Sequence, residues 1–384
     1  MTDQTKSTAS DSLNNPLSHP LCMTRIDVVL KLLCREKGLQ KKSMSQILAA
    51  LGMGIATGPA AALEIALNHS NIRKESVQQP VFITGHWRSG TTLIQYLLAQ
   101  DKAFGTYFPL FNGTYTYYFL MGKVFEKTVA SMVQGTRPID NMRLSLDLPL
   151  EEYMSFAKTE ADAYYQINAF PQSFRHYMDM IYWQDLPPKK AEKLKAKYEY
   201  LLKKLSLAND HKQLMLKSPD NTARVGILHE MFPDAKFFNI YRNPYEVIRS
   251  SVHMYETTFR MWALQETPSR DELEDWVIDN FKRMYETFFA VIPTLPAGSF
   301  YEVRFEDFVK DPLRYLKEAY DVLQLGDFEQ AKPGFEAYLE AEKDYVKNKF
   351  DYPLSLKNKI EEKLGFYFEH YGYIPGVLSG GNQD

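Results

Sequence analysis

A short apolar run followed by a loop bracketed by two glycines is the feature that most restricts how this chain can fold. The stretch reads Pro80-Val-Phe-Ile-Thr-Gly85-His-Trp-Arg-Ser-Gly90-Thr-Thr-Leu-Ile. A strand, a glycine-rich turn and the start of an amphipathic helix form an anion-binding unit of α/β proteins, in which backbone N–H groups and the helix N-terminus face the anion. The loop therefore predicts a parallel α/β fold with an anion site after its first strand.

The loop departs from the nucleotide triphosphatase template G-x-x-x-x-G-K-[ST] at one position. Gly85 and Gly90 match and Thr92 takes the hydroxyl position, but Thr91 stands where the lysine belongs. That lysine contacts the β- and γ-phosphates, so its loss argues against Mg²⁺-triphosphate chemistry. The backbone cradle remains, and the planar guanidinium of Arg88 can bind an anion. The alternative is that the glycines only turn a strand into a helix and that Arg88 is a solvated charge.

A second candidate anion site follows the strand-like run Lys236–Tyr241. Pro244 suits the first turn of a helix, and Asn243 is a candidate cap for it. Arg242 then lies at the carboxyl end of a strand, and Ser250 lies two turns into the helix. Ligands of wound α/β sheets bind at the carboxyl ends of the strands, so Arg242 and Ser250 can hold a second phosphate.

Together the two stretches resemble the donor-binding motifs of the sulfotransferases. The run 85–92 resembles their 5′-phosphosulfate loop, and Arg242 with Ser250 resembles their 3′-phosphate motif at the same spacing. Other blocks are similar to those of the large, mostly bacterial branch of the family: Arg137–Met142, Pro149–Glu152, Leu216–Pro219 and Val303–Phe308. The resemblance covers residues 79–325, and it is specific because both phosphate motifs occur in one chain.

The resemblance implies transfer of a sulfuryl group from 3′-phosphoadenosine 5′-phosphosulfate (PAPS) to a hydroxyl or an amine. The residues that it assigns to donor binding are Gly85, Arg88, Ser89, Gly90, Thr91, Thr92, Arg242 and Ser250. A sulfuryl group carries less negative charge than a phosphoryl group, so cationic side chains, hydroxyls and N–H groups can stabilise in-line transfer without a metal. The sequence has no H-E-x-x-H motif, no paired cysteines and no carboxylate-dense loop, and we expect no metal requirement.

Lys217 ends the apolar run 213–216, which predicts another core strand. Its ammonium would then lie at the same sheet edge as the phosphate loop. By resemblance, this lysine contacts the transferred sulfuryl group or the bridging oxygen and is a catalytic candidate. The alternative is an ordinary lysine in solvent at the end of a strand.

The resemblance is weakest for the catalytic base. Cytosolic members of the family place a histidine two residues after this lysine, but Pro219 occupies that position here. Other branches use a glutamate, which makes Glu151 the preferred candidate and Glu152 the next. A carboxylate in an apolar pocket can have its pKa raised enough to accept a proton near neutrality. The alternative is an acid that stabilises a helix N-terminus, and His253 and His86 are weaker candidates for the base.

Composition restricts the partners and the compartment. The 45 basic and 48 acidic residues give a net charge of −3, which does not favour nucleic acid as a partner. Cys22 and Cys34 are the only cysteines, so we expect no disulfide framework and a reducing, cytoplasmic compartment. The aromatic segments Phe104–Phe119 and Ala163–Trp183 lie between the donor motifs, where an acceptor pocket would be built. They favour a hydrophobic small-molecule or lipid-like acceptor.

The segment Ile47–Leu67 is 21 residues long and carries one charge, Glu64. This is the length of a membrane span. Gly58-Pro59 within the segment predicts two short helices broken at that point, packed on the core or lying at a membrane surface. Packing is favoured because the run is rich in alanine rather than leucine.

The lysine-rich run Pro187–Leu205 predicts a helix. Leu194, Tyr198, Leu201 and Leu205 recur at helical spacing and form its apolar face. Its lysines are expected to form a solvated face.

These features predict one α/β domain, a P-loop-type parallel sheet flanked by helices. We expect a disordered N-terminus over 1–20, a helical arm over 21–78, the core over 79–325 and a C-terminal helical lid over 326–384. In the lid, Lys347 or Lys349 can meet the donor phosphates or lie in a solvated loop. Two other functions stay open: a small-molecule kinase with a degenerate loop, and a non-catalytic nucleotide-binding protein. The identity of the acceptor and the oligomeric state do not follow from the sequence.

Overall fold

The sheet at the centre of the fold is parallel and has five strands. The computed structural model describes residues 16–133, 135–344, 348 and 350–378. The strands are β1 (Val81–Thr84), β2 (Phe104–Thr106), β3 (Gly135–Thr136), β4 (Arg143–Leu144), β5 (Gln213–Lys217), β6 (Lys236–Tyr241) and β7 (Phe300–Arg304). The central sheet has the order β2-β5-β1-β6-β7, and β3 and β4 form a separate antiparallel pair.

Helices cover both faces of this sheet, as the sequence predicts. They are α1 (Ile26–Arg35), α2 (Met44–Lys74), α3 (Thr91–Leu98), α4 (Pro109–Thr114), α5 (Tyr118–Met121), α6 (Glu126–Met132), α7 (Tyr153–Thr159), α8 (Phe174–Asp179), α9 (Pro188–Ala208), α10 (Val225–Met231), α11 (Pro244–Trp262), α12 (Arg270–Val291), α13 (Phe305–Phe308), α14 (Pro312–Leu323), α15 (Phe328–Ala341) and α16 (Leu354–Tyr371). Short 3₁₀ turns connect several of them.

The inner strands are apolar along their whole length because both of their faces are covered. Every residue of β1 is buried, β5 is buried after its first residue, and β6 is buried apart from its two ends. Such continuous apolar runs are typical of parallel strands between two helical layers. Ile83 of β1 pairs with Lys217 of β5, and Thr84 pairs with Asn239 of β6. The carboxyl ends of these three strands therefore lie side by side.

The local rules for helix starts hold at Asn243, where the sequence predicts a cap, and also at Asp311. The side chain of Asn243 accepts a hydrogen bond from the N–H of Tyr245, and α11 begins at Pro244. The side chain of Asp311 accepts from the N–H of Arg314 in the same way, ahead of α14. Each cap satisfies a backbone donor that the first helical turn leaves unpaired.

The N-terminal arm is folded from residue 16 onward, so the prediction of disorder through residue 20 is wrong for residues 16–20. Residues 1–15 lie outside the described part of the chain. His19 is buried, its Nδ1 accepts from the N–H of Leu21, and its Nε2 lies 2.9 Å from the carbonyl oxygen of Trp262. These contacts fix the start of the arm against the end of α11.

The predicted break at Gly58-Pro59 is also wrong, because α2 is one continuous helix of 31 residues. Pro59 lacks the N–H that would bond to the carbonyl four residues earlier. The helix nevertheless continues, because its inner face packs on the protein on both sides of the proline. Gly54 lies against Ile26 of α1, and Ala61 and Glu64 are buried beyond the proline.

The single charge of the apolar segment points into the protein. The Glu64 carboxylate lies 2.7 Å from the Lys204 ammonium of α9, and both side chains are almost fully buried. The carboxylate also accepts hydrogen bonds from the N–H groups of Phe119 and Leu120, and the ammonium donates to the carbonyl of Tyr115. Lys204 thus departs from the predicted solvated lysine face of α9. This ion pair fastens α2 to the body of the protein.

Removing one partner of this pair should cost much of the stability of the fold. We expect Glu64→Gln to lower the free energy of unfolding by about 3 kcal/mol, because the Lys204 charge is left buried without its counterion. Urea unfolding followed by circular dichroism measures the change. Glu199→Gln is the control, since it breaks the partly exposed Lys203–Glu199 pair, and it should cost less than about 1 kcal/mol. Equal losses for the two variants would contradict a supporting role for the Glu64–Lys204 pair.

Candidate active site

The loop between β1 and α3 requires glycine at both of its ends. Gly85 and Gly90 have φ values of 136° and 111°, in the left-handed region that side-chain-bearing residues rarely adopt. A Cβ atom on Gly90 would collide with the ring of Phe305, and one on Gly85 would collide with the carbonyl oxygen of Ile240. The N–H of Gly85 donates to Thr222 Oγ1 at 2.7 Å. The loop is therefore held tightly between the ends of the strands.

Polar groups inside the loop fix its shape. Ser89 is completely buried, and its hydroxyl and its N–H both bond to the carbonyl oxygen of His86, at 2.7 and 3.1 Å. Ser89 is thus placed to shape the loop from within. Arg88 has a φ of 73°, which is uncommon for a residue with a long side chain. This conformation belongs to the turn that leads into α3.

A cavity of about 310 Å³ opens in front of the loop and contains most of the predicted donor-binding residues. Those among its lining residues are Arg88, Gly90, Thr91, Thr92, Arg242 and Ser250. Gly85 and Ser89 belong to the loop but do not line the cavity. Its far wall comes from the C-terminal segment and includes Tyr338, Asn348 and Phe350. Lys347 and Lys349 lie outside the described residues.

Arg242 is held at the end of β6 with its guanidinium largely out of solvent. The guanidinium lies over the ring of Phe305, 4.4 Å from the ring centroid, and donates to the carbonyl of Arg88 at 3.2 Å. Burial lowers the pKa of Arg242, and the nearby Glu246 carboxylate, 3.2 Å away, opposes that effect. The buried Nε has no hydrogen-bond partner within the described part of the chain. A cation with a spare buried donor suits an anionic ligand.

Arg88 and Ser250, which the sequence analysis places at two different phosphates, are in direct contact. Arg88 Nε donates to Ser250 Oγ at 2.9 Å, and Arg88 Nη1 donates to the Asp140 carboxylate at 2.6 Å. Arg137 donates to the same carboxylate. Burial alone would raise the pKa of Asp140, but Arg137 and Arg88 outweigh it, and the pKa is lowered. The sequence pattern did not indicate Arg137 and Asp140 as site residues, although both belong to the block Arg137–Met142.

Lys217 and Glu151 form a second ion pair at the end of β5. Their Nζ and Oε1 atoms are 2.5 Å apart, and Lys217 is almost completely buried. Burial lowers the pKa of Lys217, while Glu151 acts in the opposite direction. Glu151 keeps some exposure and also accepts a hydrogen bond from the Tyr165 hydroxyl. Lys217 is therefore not a solvated strand-end lysine, and Tyr165 is a contact that the sequence pattern did not indicate.

Glu152, the second candidate for the base, lies inside a network of hydrogen bonds. Its carboxylate is fully buried, and burial raises its pKa. It accepts hydrogen bonds from the Lys217 N–H at 3.1 Å, the Tyr198 hydroxyl at 2.8 Å and the Asn221 amide at 2.7 Å. These bonds tie the segment before α7 to the end of β5. They hold Lys217 and Glu151 next to each other.

The two histidine candidates make contacts of their own. His86 packs against the ring of Phe281, donates to the carbonyl of Trp87 and has its pKa lowered to about 4 by burial. His253 packs against Phe350, and burial followed by the nearby Arg249 lowers its pKa. Neither histidine lines the cavity in front of the glycine loop, and Lys217 and Glu151 do not line it either.

Comparison with known proteins establishes the family of the chain. Residues 80–330 match the sulfotransferase family, and the chain belongs to that family. It is 31% identical over 294 residues to the omega-hydroxy-beta-dihydromenaquinone-9 sulfotransferase Stf3 of Mycobacterium bovis, a similarity that covers 77% of this chain and 75% of the relative.

Solved structures of mycobacterial sulfotransferases have the same fold. The sulfotransferase STF9 of Mycobacterium avium superposes with a TM-score of 0.66 at 14% identity, over 94% of this chain and 98% of that chain. STF1 of Mycobacterium tuberculosis H37Rv superposes with a TM-score of 0.62 at 17% identity, over 88% and 90%. At these identities the likeness concerns the fold.

The burial of His86 predicts a specific pH dependence of stability. Its pKa is about 4 in the folded protein and about 6.5 when unfolded, so the unfolded state binds more protons between these values and stability falls as the pH falls. We expect the wild type to lose about 3 kcal/mol more than His86→Asn between pH 7 and pH 4. Asparagine keeps a donor for the Trp87 carbonyl without the titration. Chemical unfolding across pH measures this difference, and His69→Asn, at an exposed position, is the control. Parallel pH profiles for the wild type and His86→Asn would contradict the burial of a neutral His86.

Proposed function

We propose that this sulfotransferase uses PAPS as its donor and transfers the sulfuryl group to the hydroxyl of a hydrophobic, lipid-like acceptor. The observation that carries the donor assignment is the position of Arg242, Ser250 and Arg88 at the cavity in front of the glycine loop. One cavity then offers a helix N-terminus for a 5′-phosphosulfate and two arginines for a 3′-phosphate.

The residues present fit such a donor. Thr91 and Thr92 begin α3 beside the cavity, and its first turn has N–H groups free of helical partners. The missing lysine at Thr91 is acceptable because a sulfuryl group needs less charge compensation than a γ-phosphate. Arg242 offers the unpartnered Nε, and Glu246 offsets part of its charge. We propose that the 3′-phosphate outcompetes Glu246 for this guanidinium.

The Lys217–Glu151 pair provides the two groups that the transfer needs. When bound, the donor supplies a sulfuryl group joined to a phosphate through a bridging oxygen. Lys217 stabilises the negative charge that develops on the bridging oxygen as its bond to sulfur breaks. Glu151 accepts the proton of the acceptor hydroxyl as the new oxygen–sulfur bond forms. The Tyr165 hydroxyl orients the Glu151 carboxylate.

The acceptor assignment is supported by the relative and by the position of Tyr165. The relative in Mycobacterium bovis is named for action on omega-hydroxy-beta-dihydromenaquinone-9, a terminal alcohol on a lipid-like chain. Tyr165 belongs to the aromatic segment Ala163–Trp183 and contacts the proposed base directly. An apolar alcohol can therefore approach Glu151 along aromatic side chains.

Two further parts of the proposal concern conditions. We propose that transfer needs no metal, since cationic side chains and backbone N–H groups supply the charge stabilisation. We propose a reducing cytoplasmic compartment, because Cys22 and Cys34 are both free.

Membership of the sulfotransferase family favours this function over a kinase with a degenerate loop. The Lys217–Glu151 pair favours it over a non-catalytic nucleotide-binding protein.

The donor assignment predicts strong selectivity for a nucleotide with a 3′-phosphate. In calorimetry with EDTA present, adenosine 3′,5′-bisphosphate should bind far more tightly than AMP. Arg242→Ala should weaken the bisphosphate by about 2 to 4 kcal/mol, the loss expected for a charge-assisted contact in a desolvated site. Arg260→Ala, at an exposed arginine near the end of α11, should leave both affinities unchanged. Equal affinities for the two nucleotides, or binding that requires Mg²⁺, would contradict the assignment of PAPS as the donor.

The base assignment predicts a loss of rate without a loss of donor binding. Glu151→Gln keeps the size of the side chain but cannot accept the proton, so kcat should fall by roughly 10²- to 10⁴-fold. Donor affinity should stay within a factor of a few. Single-turnover transfer to an omega-hydroxylated isoprenoid quinone measures the rate, and Glu266→Gln, an exposed acid, is the control. A Glu151→Gln protein with the wild-type rate would show that another group takes the proton.

A further inference from the structure

Helix α2 has an outer face that no other part of the described chain covers. Only 22% of the most apolar stretch of this helix is buried, whereas a core helix would be mostly buried. Large apolar side chains stand in solvent on this face, among them Leu48 at 61%, Ile55 at 67% and Leu67 at 58% exposure. Soluble proteins rarely expose such a continuous apolar surface without a partner.

Five of the six large apolar side chains that are exposed on α2 form one stripe, and the sixth, Ile65 at 43% exposure, lies outside it. At about 100° per residue, Met44, Leu48, Ile55, Leu63 and Leu67 fall within an arc of about 140°. The exposed positions between residues 44 and 67 include no charged residue. The one acid of the segment, Glu64, lies on the opposite side in its ion pair with Lys204.

Positive charges flank the stripe at both ends. Lys41 and Lys42 precede the helix, and Arg73 and Lys74 form its last turn, all of them exposed. The helix is about 46 Å long, so these two cationic ends are well separated. An uncharged apolar face between cationic ends complements a bilayer with anionic headgroups.

We propose that the outer face of α2 binds the surface of an anionic lipid bilayer, with the helix lying in the plane of the interface. A second copy of the chain fits less well, because either a parallel or an antiparallel pairing of two α2 helices brings the cationic ends together. Membrane binding does not depend on the identity of the donor. It would bring the protein to the phase that holds a lipid-like acceptor.

The packing of α2 determines that it lies on the bilayer rather than across it. By composition and length, residues 41–74 are apolar enough for a span. Yet Ile47, Ala50, Gly54 and Ala61 are buried against the protein along most of the helix, and Glu64 is paired inward. Crossing a membrane would require α2 to separate from the body and to expose that ion pair to lipid.

Vesicle flotation of the full chain, without donor or acceptor, tests the proposal. The wild type should float with phosphatidylcholine–phosphatidylglycerol vesicles. The triple variant Leu48→Gln, Ile55→Gln and Leu63→Gln should lose at least about tenfold in partitioning, because apolar burial supplies most of the binding. A control triple variant, Val322→Gln, Leu354→Gln and Ile374→Gln, alters exposed apolar residues outside α2 and should float like the wild type. Both variants should keep the wild-type melting temperature and nucleotide affinity.

A charge variant and sedimentation complete the test. Neutralising Lys41, Lys42, Arg73 and Lys74 with glutamine should reduce binding to the anionic vesicles by about tenfold or more and remove their advantage over pure phosphatidylcholine. A wild type that does not float, or an α2 triple variant that floats as well as the wild type, would overturn the proposal. Sedimentation would also overturn the proposal if the wild type formed a stable dimer and the α2 triple variant did not. In that case α2 would be a protein interface. If these experiments contradict membrane binding, the nucleotide-binding test of the donor assignment remains valid, because it involves no membrane.

Discussion

The site depends on one constraint, which is that neighbouring parallel strands all end at the same edge of the sheet. β5, β1 and β6 pair in a register that places Lys217 beside Ile83, and Asn239 beside Thr84. Lys217, the glycine loop and Arg242 therefore lie along one edge of the sheet, with the loop in the middle. Because backbone donors at such an edge are not used by the sheet, the edge suits anions. The helices and the C-terminal segment complete a cavity around it.

Buried carboxylates hold the neighbouring groups at this edge of the sheet in position. Asp140 binds Arg88 and Arg137 together, and Glu152 ties the end of β5 to Tyr198 and Asn221. A buried acid of this kind lowers the mutual repulsion of nearby cations and fixes their orientation. The Lys217–Glu151 pair differs because Glu151 keeps partial exposure. Under the proposed function, a carboxylate serves for support in one place and for proton transfer in the other.

The sequence predicts the parts of the fold that local patterns determine. The run Lys236–Tyr241 forms a strand with the predicted ends, and Asn243 caps α11. The features that the sequence did not predict depend on contacts between residues that are far apart along the chain. Burial of Glu64 against Lys204 keeps α2 continuous through Pro59, and the contact of Arg88 with Ser250 joins residues that pattern matching assigns to separate phosphates. Likewise, burial distinguishes Glu151 from Glu152, which are adjacent in the sequence.

Transfer of the labelled group itself tests the central claim most directly. The purified protein would receive PAPS labelled in its sulfuryl group together with an omega-hydroxylated isoprenoid quinone, with EDTA present. The account predicts that the label moves to the quinone and that adenosine 3′,5′-bisphosphate forms in equal amount. A label that stays on the donor, together with Mg²⁺-dependent transfer of a labelled γ-phosphate from ATP to the same alcohol, would contradict it.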